Sequence, residues 1–281
     1  MVSGILVEDI IPKKGGQCSF YLKLPKIKAF KEKIGSKFDT TYHHREEYFM
    51  ELDVLGLFSA CSYALDCVEA ELVHVTSKHA KRVAYMSVCV AEQMGIQGKE
   101  LQDLAVCALL HDNALTQYIQ VELHNDIARV SATQEFPGLG AHCSMGEHNI
   151  QGLPFHTDVT NVILYHHENA DGTGPFGKKW EETPLFARII HLCDLLDVAC
   201  RTQTFTTATW KKALDFLKKA NERMFDAECV NAFLKSFSES HFLSLGSRDL
   251  DACLWNKVPR IRQELTFSQI KVLADFFAHI V

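Results

Sequence analysis

Seven residues spread along this 281-residue sequence carry metal-ligating side chains at positions where helical periodicity points them inward: His79, His111, Asp112, His142, His166, His167 and Asp194. The densest group lies in Val162-Ile163-Leu164-Tyr165-His166-His167-Glu168-Asn169-Ala170-Asp171-Gly172-Thr173-Gly174-Pro175-Phe176-Gly177. Val159, Val162, Ile163, His166 and His167 stand at i, i+3, i+4, i+7 and i+8, a spacing that predicts an amphipathic helix with both imidazoles on its buried face. Burying imidazole nitrogens without partners costs about 1–3 kcal/mol each. A metal ion is the economical partner. Two glycines and a proline then end the helix and hold a tight loop beside the pair.

Five imidazoles and two carboxylates form a hard-to-borderline donor set, suited to Fe, Mn, Zn or Co rather than to the soft ions that thiolates select. Seven donors exceed what one ion needs, so two ions sharing one carboxylate is the natural count. Asp112, next to His111, is the expected bridge, and these two residues are the candidate catalytic pair. Two divalent ions roughly 3.5–4 Å apart would lower the pKa of a shared water and neutralise a phosphoryl oxygen. That is the chemistry of phosphodiester hydrolysis by a metal-bridging hydroxide, with no serine or cysteine nucleophile.

Helices must deliver these donors. The pattern is helical from about 49 to 72 and again over 76–94, where Val83, Met86, Val90 and Met94 form a stripe, His79 lies in the first turn and Gly95 ends the run. A third helix is expected over 99–113, with Leu101, Leu104, Ala105, Ala108 and Leu109 on the face that His111 and Asp112 extend. The pattern weakens over 115–140, ending in Phe136-Pro137-Gly138-Leu139-Gly140, which reads as a loop over the site; His142 opens another helical stretch. Thr183-Pro184 gives a cap and a first helical position for a helix whose stripe of Phe186, Ile190 and Cys193 also carries Asp194 and Asp197. Helices over 209–221 and 227–238 complete an all-α core.

Residues 1–48 mix short apolar runs with Pro12, Gly15-Gly16 and a lysine-rich stretch, and read as a small N-terminal element of mixed or β structure. The catalytic-type domain then spans 49–240, and 241–281 forms a helical extension or linker. Because 266–281 loosely echoes 54–68, the chain is expected to continue into a second copy of the same domain, or to pair as a homodimer.

Composition narrows the partners. With 47% hydrophobic and 23% charged residues the chain is an ordinary globular one. No apolar run reaches the ~18–20 residues of a membrane span, and the first residues lack a signal core, so a cytoplasmic chain or a soluble piece of a larger one is expected. A net charge of -6 leaves no basic stripe for a DNA or RNA polymer. Ten cysteines stand singly, without a CxxC pair, and several such as Cys89, Cys107 and Cys193 fall inside apolar helical patterns. They are assigned to packing, as buried thiols in a reducing compartment.

Taken together, His79 with Arg82-Val83, His111-Asp112, His142 with Gly146, His166-His167-Glu168, Asp171-Gly172-Thr173-Gly174 and Asp194 with Asp197 resemble the HD-GYP phosphohydrolases. This branch of the HD superfamily hydrolyses cyclic dinucleotides such as cyclic di-GMP and the mixed cyclic GMP-AMP, and the resemblance covers about 65–234. It implies an HD-type helical bundle and a centre of divalent transition metals, Fe or Mn foremost and Zn, Ni or Co also accommodated. By the match, His79, His111, Asp112 and Asp194 would hold one ion, and Asp112, His142, His166 and His167 the other. Asp197 is a candidate for orienting a ligand. Glu168 is read either as an acceptor orienting a ligand histidine or as a solvated helix end, and Asp171 chiefly as a local brace of the glycine loop. Gly172, Gly174, Lys178 and Arg201 are the candidate substrate contacts.

The sequence also departs from that family. Leu115 stands where HDxGK has its lysine, Gly174-Pro175-Phe176 replaces GYP, and Gln203-Thr204-Phe205-Thr206 lacks the usual arginines. Val75 occupies the place of the glutamate that holds a third metal in some members, so two ions are expected. Two functions follow as expectations: a phosphodiesterase opening a cyclic dinucleotide, or a catalytically degenerate module with a regulatory, dimerising or ligand-sensing role.

Overall fold

Nearly every side chain from His79 to Ala91 is buried, charged ones included, which marks that helix as the centre around which the others assemble. The computed structural model describes residues 49–72, 78–121, 139–200, 205–220, 223–246 and 249–280. The N-terminal element expected over 1–48, the third-metal position Val75 and the candidate contact Arg201 lie outside them. What is described belongs to one compact unit, Glu47–Val281.

In chain order that unit contains β1 (Phe49–Leu52), α1 (Val54–Leu72), α2 (His79–Gln93), α3 (Gly98–Leu109), α4 (Leu115–Val121) and α5 (Leu139–Asn149). After a long turn-rich stretch come α6 (Leu185–Cys200), α7 (Thr207–Ala220), α8 (Ala227–Ser236), α9 (Glu239–Leu243), α10 (Leu250–Lys257), β2 (Gln263–Thr266) and α11 (Phe267–Ile280). The architecture is helical as expected, and α2 packs against α3, α6, α8 and α10. The core they share includes Val83, Val90, Leu104, Ile190, Leu192 and Phe233, all fully buried. Charges on α2 survive burial because each has a partner: Lys81 Nζ reaches Asp251 at 2.7 Å and Arg82 Nε reaches Asp197 at 2.6 Å. No helix among the described residues is long and apolar enough to cross a membrane.

Several local expectations are corrected. Residues 49–52 form a strand rather than the start of a helix, pairing antiparallel with β2 from Phe49↔Thr266 to Leu52↔Gln263. Residues 241–281, set apart above as an extension or linker, contribute Leu250, Leu254, Leu265, Leu273 and Phe276 to the core that Leu55 and Phe58 share. Within the weakly patterned 115–140 stretch, α4 forms because Leu115, Tyr118 and Ile119 bury one face against Ala141 and Met145. At α6 the first helical bond is accepted by Pro184 O, so the proline itself sits at the cap, while the Thr183 hydroxyl donates to Lys179 O.

The segment bearing His166-His167 is not an α-helix but a run of turns over 160–167. Asn161 adopts φ 65°, which reverses the hand of the backbone, and the Glu147 carboxylate accepts from Asn161 N at 2.6 Å and Leu164 N at 3.0 Å. The inward face is preserved all the same, with Val162 and Ile163 fully buried.

Candidate metal centre

Five separate elements converge on one point. His79 is the first residue of α2, His111-Asp112 sits in the turn after α3, His142 lies on α5, His166-His167 on the turn run, and Asp194 on the buried face of α6. Asn113 fixes the turn to α5 by donating to Leu110 O at 2.9 Å and Gly146 O at 3.2 Å. That approach needs the glycine: a Cβ at Gly146 would stand 3.0 Å from Ile163 Cγ2 and 3.1 Å from Asn113 Nδ2.

Asp112 stands between two groups of donors. Its Oδ2 lies 3.4 Å from His111 Nε2, while Oδ1 lies 3.3 Å from His142 Nε2 and 3.5 Å from His166 Nε2. On the first side Asp194 Oδ1 is 3.2 Å from His79 Nε2 and 3.9 Å from His111 Nε2; its Oδ2 reaches toward His167 Nδ1 at 3.8 Å. The far nitrogens are tied to acceptors. His111 Nδ1 is 3.0 Å from Ala108 O, His166 Nδ1 2.6 Å from Ile163 O, and His79 Nδ1 2.8 Å from Asp197 Oδ2. Donation of an Nδ1 proton to a carbonyl leaves Nε2 with a free lone pair. His111 Nε2 and His166 Nε2 are buried and make no hydrogen bond, and each faces an Asp112 oxygen, at 3.4 and 3.5 Å, an arrangement that a cation shared with the carboxylate would satisfy.

The electrostatics favour ionised carboxylates and neutral His111 and His167, which burial holds down. His79, His142 and His166 instead rise despite burial, held protonated by Asp112, Asp194, Asp197 and Cys143, so that each would release a proton on binding a metal. Burial alone would raise the Asp197 carboxyl, but hydrogen bonds from Arg82 and His79 outweigh it and bring it down to about 2. Burial likewise opposes ionisation of Asp112, and the surrounding His111, His142 and His166 overcome it and hold this carboxyl well below the usual range. His79 is disfavoured as a cation by burial yet held well above its ordinary value by Asp194 and Asp197. In His167 burial and the neighbouring His166 and His142 act together to keep the ring neutral. The cluster can therefore hold divalent cations on imidazoles and two ionised carboxylates.

A model of the HD domain matches residues 66–229, more than half of the chain and the whole span of these donors. The chain belongs to the HD-domain family. Similar over 168 residues at 30% identity is the cyclic di-GMP phosphodiesterase response regulator RpfG of Xanthomonas campestris pv. campestris, the match covering 57% of this chain and 43% of that one. The 3'3'-cGAMP-specific phosphodiesterase 3 of Vibrio cholerae is 30% identical over 166 residues, 58% of this chain and 35% of the relative. The solved structure of a cyclic GMP-AMP phosphodiesterase of V. cholerae superposes with a TM-score of 0.62 at 20% identity, covering 83% of this chain and 60% of that one, which is a likeness of fold. This HD domain thus spans less than half the length of these two curated relatives. The resemblance expected from the motifs holds.

Beside the donors of this HD domain runs a cleft of about 510 Å³, lined by Gly140, His167, Asn169, Thr173, Gly174, Pro175, His191, Leu195 and Met224. Of the candidate substrate contacts, Gly174 lines it. Gly172 does not, and the ammonium of Lys178 is engaged by Glu182 at 2.9 Å on the surface. Glu168 is neither a solvated helix end nor a partner of a ligand histidine. It is buried, and its carboxylate accepts from Phe176 N at 2.7 Å and Lys178 N at 2.5 Å, clamping the glycine loop to the residue after His167. Asp171 braces the same loop through Thr173 N at 3.0 Å and Thr173 Oγ1 at 2.6 Å.

Gly174 packs so closely on this clamp that an added Cβ would lie 2.6 Å from Glu168 Cα and 2.9 Å from Asn169 N. Gly174→Ala is accordingly expected to destabilise the fold by about 1–3 kcal/mol and to move the cleft wall. Chemical denaturation checks the first effect, and an unchanged midpoint would count against the clamp.

Two residues at the site escaped the reading of the sequence. His191 is buried, with Nδ1 3.0 Å from His166 O and Nε2 3.2 Å from Asn169 Oδ1, and burial holds it down to about 4. Its position one helical turn before Asp194 was the available signal. Cys143, assigned to packing, lies 3.6 Å from His142 Nε2 and 3.8 Å from His166 Nδ1.

Proposed function

We propose that this HD domain is a metal-dependent phosphodiesterase that opens a cyclic dinucleotide, cyclic di-GMP or 3',3'-cyclic GMP-AMP. The observation that carries the proposal is the division of Asp112, whose two oxygens face different histidines and so suit it to bridge two cations. In this reading His79, His111, Asp112 and Asp194 hold one ion, and Asp112, His142, His166 and His167 the other. When bound, two such ions activate water and neutralise phosphoryl charge. The protein's own part is positional. Asp197 and the carbonyls of Ala108 and Ile163 fix the ligand rings. Glu168 holds the loop that walls the cleft, and the cleft volume lies within the ~300–1,000 Å³ usual for small-molecule sites.

One observation favours the rival reading of a regulatory module. Leu115, in the place of the family's lysine, is buried in an apolar cluster with Tyr118 and Ile119 and offers no charge to a phosphate. The test is incubation of protein loaded anaerobically with Fe or Mn, and then Zn, Ni or Co, with each cyclic dinucleotide. Linear product that disappears on chelation is expected. Two bound ions per chain without product from either substrate would transfer the conclusion to the regulatory reading.

A further inference from the structure

Seven of the eight cysteines whose side chains are described are buried, and Cys143 differs from the other six in standing beside two histidines. It is wholly inaccessible, its Sγ is 3.6 Å from His142 Nε2, and His142, Cys143, His166 and His167 each bring one donor atom within 4.8 Å of the others. Independently, His166 Nε2 is buried with no hydrogen bond, on the ring whose other nitrogen lies 3.8 Å from Cys143 Sγ. On a five-coordinate ion with metal–nitrogen and metal–sulfur bonds of about 2.0–2.1 and 2.3 Å, a nitrogen and a sulfur in neighbouring positions stand about 3.1–3.8 Å apart. The Cys143–His142 separation meets that requirement without rearrangement.

We propose that Cys143 is a thiolate ligand of the cation held by His142, His166 and His167, giving that position a mixed nitrogen, sulfur and oxygen donor set. The inference rests on the proposed metal centre. Binding forms the metal–sulfur bond and releases the thiol proton to solvent. A sulfur donor there favours zinc, cobalt or iron over manganese at this one position, while the position of His79, His111 and Asp194 keeps only nitrogen and oxygen donors.

Anaerobic titration of the intact chain with cobalt(II), followed by absorption, tests this. A near-ultraviolet sulfur-to-cobalt charge-transfer band is expected for one of two bound ions. It should vanish in Cys143→Ser and Cys143→Ala and persist in Cys107→Ser, with the visible cobalt bands retained in all. Should the variants fold poorly, X-ray absorption on the unaltered chain replaces them, with a sulfur shell at about 2.3 Å expected. Two cobalt ions bound without a sulfur signal, or a band that survives Cys143→Ser, overturns the thiolate ligand and leaves the metal centre standing. No cobalt uptake at all overturns both.

Discussion

Replacing Asp112 by alanine should lower bound metal from the proposed two ions to less than one per chain, because the carboxylate that stands closer to both donor groups is gone, Asp194 reaching the second group only at 3.8 Å from His167. Hydrolysis of a cyclic dinucleotide should fall by at least about 100–1,000-fold, the cost of losing one preorganised electrostatic stabiliser, and further if both ions leave. His79→Ala is the informative comparison. His79 belongs to the group of His111, Asp112 and Asp194 and not to that of His142, so its loss should empty one position and leave the proposed ion on His142, His166 and His167 in place. Metal analysis of the two proteins after identical loading decides the matter. Equal stoichiometry in both would mean that Asp112 bridges nothing.

The second large effect is expected at Asp197, which lies outside the proposed ligand set. Its carboxylate is buried between the Arg82 guanidinium, with contacts of 2.6 and 2.8 Å, and His79 Nδ1 at 2.8 Å. Asp197→Ala takes from a buried cation its carboxylate partner, and a loss of about 3–5 kcal/mol in urea unfolding is expected. Metal affinity should drop by about 10–100-fold as well, since His79 loses the acceptor that orients it. The double variant Arg82→Met with Asp197→Ala separates these consequences: stability should return in large part, and metal affinity should not. Recovery of both would reduce Asp197 to a packing role.

The sequence revealed burial more faithfully than backbone. Val162, Ile163 and His166 point inward as their spacing indicates, yet the backbone between them is a series of turns, because Asn161 reverses its hand and Glu147, on another element, supplies the missing acceptors. No window along 159–167 contains Glu147, so periodicity could not have found that partner. The strand pair was hidden for a similar reason: Phe49 to Leu52 have a helical pattern on their own and become a strand only against Gln263–Thr266. At the site, the donors came from residue type and order, whereas the duty of Glu168 depended on a loop that folds back onto it. Lys178 misled because a lysine beside a glycine loop looks like an anion contact until its i,i+4 neighbour Glu182 is counted. Cys143 was missed through the general and mostly sound rule that a single cysteine in a helical pattern is packing.

The β1–β2 ladder carries a consequence for how the protein is made. On the order of 200 residues of chain separate the two strands, and at the usual ~5–20 residues per second roughly 10–40 s of translation elapse between the emergence of one and the other. During that interval residues 49–52 lack the strand they pair with, and their backbone groups can take up a neighbour on the same messenger instead. A nascent chain arrested before residue 263 should therefore associate with other chains, while one released after β2 should not.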